Sequence, residues 1–299
     1  MFTQAKPGTM PRGDYLKKLL FVCSGNTCRS PLAEGLFKKY LADSGIDSVA
    51  VSSAGLSALS GDEVSINSVL AAHKRGVDIS LHRARPVNPQ DILESDLIVC
   101  MSPSHARAVD SLLPYKTLVL NVPDPYGQSE AVYEQCCKAI EGQFPEVLEA
   151  LLNAPEIRPM QAEDIKALAE LEKECFESPW SENSLSAELE KTEARFFVLR
   201  QDGEICGYIG ADNILGQVFI TNIAVKAQHR RRGFGERLLR QLILQSRFEN
   251  AQLVTLEVRV SNSSAIALYE KCGFKNVGER RDFYSNPREN AYIYTFYFD

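Results

Sequence analysis

The chain has 299 residues, enough for about two domains of the usual 100–200 residues each. Its apolar share of 44%, charged share of 24% and net charge of -6 are ordinary for a globular protein and give no general reason to expect binding to nucleic acid or an anionic membrane. No apolar run approaches the roughly 18 residues of a membrane span, and the polar first eighteen residues lack the apolar core of a secretory signal. We therefore expect a cytoplasmic location, with either Met1 or Met10 as the start.

Two segments of the chain differ in pattern. Residues 19–152 alternate buried strand runs (LLFVC, DLIVCM) with helical runs such as LAEGLFKKYLADSG, which predicts a parallel sheet with helices on both faces. The helix FPEVLEALLN ends at Asn153, and a new strand and helix follow in IRPMQAEDIKALAELEKECF. We therefore predict an α/β protein with domains at 17–153 and 157–299, joined by a linker at 154–156.

The cysteine and histidine spacing does not indicate a metal site. The eight cysteines show no paired CxxC spacing, and the histidines His73, His82 and His105 have no ligand-like spacing. We expect a protein with reduced thiols and no metal.

The stretch CSGNTCRSP connects a buried strand to a helix. Ser30 is a plausible N-cap of that helix, with Pro31 at its first position. The amides of residues 24–29 can converge into an anion nest, and the fork of Arg29 can bind two phosphate oxygens. This environment favours a thiolate at Cys23 below the usual thiol pKa of ~8.5. A thiolate at the floor of a phosphate nest is a nucleophile aimed at phosphorus.

With SSAG, HRARPV and DLIVCMSPSHARAV, this stretch resembles the low-molecular-weight protein phosphatases over about residues 17–152. The resemblance implies a four-stranded parallel-sheet fold, catalysis by Cys23 and Arg29, and a phosphocysteine intermediate. Asp124, in VPDPYG, would protonate the leaving atom and then help a water hydrolyse the intermediate. The phosphate-binding residues would be Ser24, Gly25, Asn26, Thr27, Cys28, Arg29 and Ser30.

The substrate of this half stays open between phosphoarginine and phosphotyrosine. Tyrosine-specific members usually carry a bulky aliphatic residue in place of Thr27 and an aromatic residue in place of Gly127. The hydroxyl of Thr27 could accept a guanidinium N–H, which favours the arginine type. Cys28 either forms a reversible disulfide with Cys23 under oxidation or simply packs.

The second half contains ITNIAVKAQHRRRGFGERLLRQLI, a strand followed by a loop and an amphipathic helix. Arg230, Gly233 and Gly235 form an R-x-x-G-x-G pattern whose glycines let a pyrophosphate approach the backbone at a helix N-terminus. The spacing is not that of a dinucleotide fingerprint. The alternatives are a solvated basic helix start or a nucleic-acid patch. The pattern resembles the acetyl-coenzyme A loop of the Gcn5-related N-acetyltransferases.

In LVTLEVRVSNSSAIALYEKCGF, Glu257 lies on the polar face of an otherwise apolar strand, where the pKa of a carboxylate can rise toward neutrality. Tyr269 lies on the helix that follows. Together with FESPWSENSL, NIAV and RRDFY, this stretch resembles the ribosomal-protein-alanine N-acetyltransferases over nearly all of 157–299. The resemblance implies a mixed-sheet fold of the Gcn5-related family.

This second resemblance implies that Glu257 removes a proton from the substrate amine and that Tyr269 protonates the leaving coenzyme A thiolate. SPWSE at 178–182 would line the peptide site, and Asn290 stands where the family usually has an acidic residue. The acetyl-CoA-binding residues would be Ile223, Ala224, Val225, Arg231, Arg232, Gly233, Phe234, Gly235, Glu236 and Asn262.

We therefore predict two fused enzymes, a cysteine-dependent protein phosphatase and an N-acetyltransferase that uses acetyl-CoA as co-substrate. Their partners would be a phosphorylated protein and the N-terminal alanine of a small-subunit ribosomal protein, with neither membrane nor direct nucleic-acid binding. Two alternatives remain. The first half could be a phosphoprotein-binding module, although a binder needs no nucleophile. The second half could modify another protein or a small amine.

Overall fold

The computed structural model describes residues 16–110 and 116–298, which form two sheets with their helices. The first sheet has four parallel strands in the order β2-β1-β3-β4. Its elements are β1 (Lys17–Cys23), α1 (Arg29–Asp43), β2 (Val49–Gly55), α2 (Ile66–His73), α3 (Pro89–Glu94), β3 (Leu97–Cys100), α4 (Pro103–Asp110), β4 (Thr117–Val119), α5 (Glu130–Glu141) and α6 (Phe144–Asn153).

The central strand β1 is apolar because both of its faces are covered. Leu19 and Phe21 belong to a core cluster with α1, α2, α5 and α6, whereas Leu20 and Val22 belong to a second cluster with α3 and α4. A strand buried on both faces needs a continuous apolar run rather than an alternating one. The predicted parallel sheet is confirmed.

The second sheet has seven strands in the order β10-β11-β9-β8-β7-β6-β5. Its elements are β5 (Glu156–Pro159), α7 (Ile165–Cys175), α8 (Glu182–Glu188), β6 (Ala194–Gln201), β7 (Glu204–Ile214), β8 (Gln217–Val225), α9 (Phe234–Phe248), β9 (Leu253–Arg259), α10 (Ser263–Lys271), β10 (Lys275–Ser285) and β11 (Arg288–Tyr297). Only β8 and β9 pair in parallel, so the predicted mixed sheet is confirmed.

The connection between the halves is short. Helix α6 ends at Asn153 and β5 begins at Glu156, which pairs with Arg200 of β6. We expected Glu156 in the linker, but its strand pairing places it in the second sheet. The segment that connects the last helix to the first strand of that sheet is therefore 154–155.

The two halves also share a buried contact. Leu244 of α9 belongs to the same core cluster as Leu20 and Val22 of β1, and α9 packs against α3. Beside it, the buried amine of Lys116 donates to the carbonyl of Leu93 at 2.9 Å and lies 3.3 Å from Oε1 of Gln241. The same Gln241 donates from Nε2 to the carbonyl of Leu93 at 3.3 Å. A lysine of the first half and a glutamine of the second thus bind the C-terminal end of α3 together.

The buried amine gives the stability of the protein a specific pH dependence. Burial lowers the pKa of Lys116 from 10.5 to about 8, so between those values the unfolded chain binds more protons than the folded one. The contribution of this group to the free energy of unfolding therefore rises with pH across that window, by about 3 kcal/mol in all. In Lys116→Met this increment should be absent.

The measurement is chemical denaturation of both proteins at several pH values. The free energy of unfolding of the wild type minus that of the variant should grow as the pH rises from about 8 toward 10.5. A difference that stays constant over this range would show that the amine keeps its ordinary pKa and remains charged in the folded protein.

Candidate active sites

In the loop between β1 and α1, several backbone carbonyl groups accept hydrogen bonds from a neighbouring segment. Backbone amides of the neighbouring segment, from Leu56, Ser57 and Ser65, each donate at 2.9 Å to carbonyl oxygens of the loop. The backbone N–H of Asn26 points the other way and lies 3.3 Å from Sγ of Cys23. The loop can therefore direct N–H groups toward the sulfur, as an anion nest requires.

Asn26 fixes the shape of this loop. Its backbone is left-handed, with φ of 55°, and its side chain is fully buried. The amide Nδ2 donates to the hydroxyls of Ser30 and Ser53, both at 2.9 Å. Oδ1 accepts from the backbone N–H of Arg85 at 3.0 Å and lies 3.1 Å from Nε2 of His82. All the hydrogen-bonding capacity of one buried amide is used to hold a strained turn beside Cys23.

Ser30 does not cap α1, contrary to our expectation. The helix begins at Arg29 with Cys28 in the N-cap position, so Ser30 lies within the first turn. Its hydroxyl accepts from Asn26 and lies 3.0 Å from Sγ of Cys23. The hydroxyl is therefore within hydrogen-bonding distance of the sulfur.

Arg29 and Asp124 meet above the loop. Nη2 of Arg29 lies 2.5 Å from Oδ2 of Asp124, and Nη1 donates to the carbonyl of Val122 at 3.3 Å. The guanidinium is buried, and its Nε has no partner in the described chain, whereas the Asp124 side chain is 50% exposed. A buried N–H without an acceptor costs free energy unless a ligand completes it. This geometry fits an anion such as phosphate.

Cys28 and Thr27 lie on the side of the loop that faces α5. Sγ of Cys28 is 3.3 Å from the hydroxyl of Tyr133 and 3.7 Å from Oγ1 of Thr27. The hydroxyl of Ser65 donates to Tyr133 at 2.9 Å. Cys28 is thus a buried free thiol with a hydrogen-bonding partner, and the disulfide with Cys23 stays a prediction.

The residues that support Asn26 were missed in the sequence. Ser53 lies in SSAG and His82 in HRARPV, two stretches used only as marks of resemblance. Their positions, near the C-terminal end of β2 and before α3, could have indicated contacts with the loop. In the described part of the chain, no group of three or more Cys, His, Asp or Glu side chains could hold a metal ion. Among those same residues, no helix combines the length and apolarity needed to cross a membrane.

In the second half, β8 and β9 separate after a short parallel contact. They pair from Gln217–Leu253 to Phe219–Thr255, and the pairing of the described strands stops there. Beyond this point, Ile223 to Val225 pair on one edge with β7, while their other edge faces the gap. The main chain of an exposed strand edge can bind an extended amide ligand. Within this stretch, the carbonyl of Val225 already accepts from Nε of Arg230 at 3.1 Å.

The loop before α9 turns sharply at two positive φ values, 63° at Arg231 and 79° at Gly233. Gly233 is the N-cap of α9, and a side chain at Gly235 would lie 3.1 Å from Leu268. Arg232 stacks over Phe234, with 5.0 Å between its Cζ and the ring centre. The amides at the start of a four-turn helix are thus open to an anion, with exposed arginines beside them.

Two of the predicted acetyl-CoA residues have other partners for their side chains. The carboxylate of Glu236 lies 2.6 Å from Nζ of Lys271 and 3.0 Å from Nε of Arg240. Oδ1 of Asn262 accepts from the backbone N–H of Ala265 at 3.2 Å as the cap of α10. What remains for a ligand is the backbone amide of Glu236 and the side-chain amide nitrogen of Asn262.

Glu257 and Tyr269 lie on adjacent elements, β9 and α10. Oε1 of Glu257 is 3.0 Å from Nη1 of Arg280, a partner that the sequence did not reveal although RRDFY was noted. Tyr269 is buried against Phe274 and Tyr294. Burial raises the pKa of the Tyr269 hydroxyl, so it keeps its proton at neutral pH.

A buried carboxylate lies beneath the segment expected to line the peptide site. Glu172 of α7 is fully buried, and it accepts from the backbone N–H of Trp180 at 2.8 Å and from Nδ2 of Asn222 at 2.9 Å. The hydroxyl of Tyr208 also donates to it. Glu172 therefore ties the SPWSE segment to β8, next to the edge that faces the gap. Sequence inspection gave no sign of it.

Comparison with known proteins agrees with the division into two halves. A family model described as "Low molecular weight phosphotyrosine protein phosphatase" matches residues 18–156, and one described as "Acetyltransferase (GNAT) family" matches residues 165–274. A low molecular weight protein-tyrosine-phosphatase of Acinetobacter johnsonii is 31% identical over 134 residues, which cover 42% of this chain and 91% of that protein.

Two acetyltransferases match the other half. A "Putative [ribosomal protein bS18]-alanine N-acetyltransferase" of Bacillus subtilis (strain 168) is 38% identical over 138 residues, 46% of this chain and 91% of that protein. The "[Ribosomal protein bS18]-alanine N-acetyltransferase" of Escherichia coli (strain K12) is 32% identical over 139 residues, 46% of this chain and 93% of that protein. The chain thus belongs to two families at once, the low-molecular-weight phosphatases through its first half and the GNAT acetyltransferases through its second.

Proposed function

We propose that the protein is a bifunctional enzyme with domains at 17–153 and 156–299, joined by the segment 154–155. The first hydrolyses phosphorylated side chains of proteins through a phosphocysteine. The second transfers an acetyl group from acetyl-CoA to the N-terminal alanine of a small-subunit ribosomal protein, which places its action in the cytoplasm. The observation that carries the first activity is the buried, unpartnered Nε of Arg29 next to the loop that surrounds Cys23.

In the first step of the phosphatase reaction, Cys23 attacks phosphorus and forms an S–P bond while the bond to the leaving atom breaks. The loop amides and the N–H groups of Arg29 hold the phosphoryl oxygens, and Asp124 gives its proton to the leaving oxygen or nitrogen. In the second step, Asp124 takes a proton from a water that attacks phosphorus. The S–P bond breaks, and the electron pair returns to sulfur, where the hydroxyl of Ser30, 3.0 Å away, can stabilise it.

The substrate is phosphoarginine or phosphotyrosine, and two observations support phosphoarginine. Thr27 offers a hydroxyl beside the loop, 3.7 Å from Sγ of Cys28. Gly127, with φ of 72°, adds no side chain next to the exposed ring of Tyr126, so a long, polar leaving group has room to pass. A guanidinium needs acceptors for its N–H groups, whereas an aryl ring does not.

In the acetyltransferase reaction, acetyl-CoA supplies the activated acetyl group. The backbone edge at Ile223 to Val225 and the amides at the start of α9 would bind its arm and pyrophosphate. Glu257 takes the proton of the substrate amine, and Tyr269 gives its proton to the departing sulfur. The names of the two acetyltransferase relatives support an N-terminal alanine as the acceptor.

For the phosphatase, Cys23→Ser should abolish turnover of phosphopeptides and leave acetylation by the same chain intact, because the two sites have separate cores.

Asp124→Ala should slow the hydrolysis of phosphoesters with poor leaving groups by about 10²–10⁴-fold and that of p-nitrophenyl phosphate much less, because an activated phenolate needs no proton. Steady-state kinetics on both substrate types test this. Equal losses of turnover on the two substrate types would mean that Asp124 is structural. Phosphatase activity in the Cys23→Ser variant would exclude Cys23 as the nucleophile.

For the acetyltransferase, Glu257→Gln should lower turnover of an Ala-starting peptide by roughly 10²-fold or more, while the affinity for acetyl-CoA, measured by calorimetry, should change little.

Tyr269→Phe should also slow turnover of this peptide. Its matched control is Tyr294→Phe, a buried tyrosine of the same cluster whose hydroxyl instead donates to Glu270. If the two tyrosine variants behave alike, Tyr269 only packs.

A further inference from the structure

A chain of hydrogen bonds reaches the phosphate loop from α4. The hydroxyl of Ser24, the residue after Cys23, lies 2.9 Å from Nε2 of His105. Nδ1 of His105 lies 2.9 Å from the hydroxyl of Ser102, which in turn is 2.8 Å from that of Ser104. Ser24 itself is exposed, whereas His105 is 5% exposed. A buried imidazole thus holds a hydroxyl at the mouth of the site.

His105 lies within electrostatic reach of both charged groups of the proposed reaction. Its pKa is lowered, first by burial and then by the positive charge of Arg29, while Asp124 opposes this shift. The imidazole is therefore neutral at physiological pH, with one nitrogen that donates and one that accepts. The charge of Asp124, the proposed proton donor to the leaving atom, therefore acts on the same imidazole that binds the hydroxyl of Ser24.

Two tautomers of His105 are compatible with these contacts, and they give the hydroxyl of Ser24 opposite roles. Oγ of Ser102 already accepts from the backbone N–H of His105 at 3.4 Å. It can accept a second hydrogen from Nδ1 and donate its own to Ser104. In this tautomer Nε2 accepts the hydrogen of Ser24, and the free lone pair of the Ser24 oxygen faces the mouth. In the other tautomer Ser24 would instead present a hydrogen, which suits a phosphoryl oxygen.

We propose that Ser24, oriented by His105, is a specificity-determining residue of the phosphatase site and accepts an N–H from the guanidinium of phosphoarginine. This inference rests on the proposed phosphatase function and deepens it. Thr27 and Ser24 then offer two acceptors from opposite ends of the same loop. Phosphotyrosine has no N–H in its leaving group, so it gains nothing from either hydroxyl. His105 acts through Ser24 and is a positioning residue.

The test compares kcat/KM of the full chain on a phosphoarginine peptide, a phosphotyrosine peptide and p-nitrophenyl phosphate. Ser24→Ala should lower the value for phosphoarginine by roughly 10- to 100-fold, the size expected for a lost hydrogen bond to a charged group. Values for the two aryl substrates should change by less than about 3-fold. The matched control is Ser60→Ala, which removes an exposed hydroxyl from the neighbouring 56–65 segment and should change none of them.

A double-mutant cycle separates positioning from structure. His105→Ala should reduce the phosphoarginine value in the wild-type background and have little further effect on it once Ser24 is alanine. If His105 had only a structural role, His105→Ala would lower kcat/KM for all three substrates, and it would do so with or without the Ser24 hydroxyl. Acetylation by the same chains, together with the melting temperature, reports whether each variant is folded.

Each other outcome overturns the proposal. Equal losses on all substrates in Ser24→Ala would mean that the hydroxyl binds the phosphoryl group. Unchanged kinetics would mean that it binds nothing. A wild type that cleaves the aryl phosphates but not phosphoarginine would end the proposal while leaving the phosphatase function in place. A wild type that cleaves none of the three would remove both.

Discussion

The two proposed sites depend on backbone N–H groups that the fold has to direct toward a ligand. Such groups are costly when buried, so the chain has to hold them open with other interactions. In the first half this is done by Asn26, whose side chain bonds to three segments around a left-handed turn. In the second half it is done by the separation of β8 from β9 and by the sharp turn at Gly233. The side chains to which we assign chemistry lie around these backbone segments.

This constraint explains why the polar residues of the first site are buried. Asn26, Ser30 and Ser53 are almost completely buried, although they have no apolar surface to gain from it. They are stable there because each finds a partner in another, and Glu34 closes the set by accepting from Ser53 at 2.6 Å. A polar network of this kind fixes one geometry, since any member that moves leaves several unsatisfied groups behind. The rigidity needed to aim a sulfur at phosphorus therefore comes from hydrogen bonds more than from apolar packing.

The sequence was sufficient for the fold class and the two families, because these depend on local periodicity and on short stretches such as CSGNTCRSP. It was insufficient wherever function depends on residues distant in the chain. Arg280 beside Glu257, Glu172 beneath Trp180 and His105 behind Ser24 each involve partners that only the folding of the sheet brings together. Ser30 shows a different failure. The Ser-Pro pair predicts a helix cap at Ser30, but in the folded protein its hydroxyl instead contacts the sulfur of Cys23 and accepts from the side chain of Asn26. Glu156 was expected in the linker but lies in β5, because its pairing with β6 outweighs the local conformational preference of the residue.

The fusion of the two halves also has a physical consequence. Helix α9 begins at the loop that we assign to acetyl-CoA, and its Leu244 and Gln241 pack against the first half. There, Ala106 of α4 joins the same cluster, one residue from the imidazole that holds Ser24. The buried amine of Lys116 has acceptors in both halves, the carbonyls of Ile92 and Leu93 and Oε1 of Gln241, so separating the halves would remove one of its partners. The contact thus favours one fixed arrangement of two enzymes whose chemistries share no residue, and it places both sites on elements that meet at one buried surface.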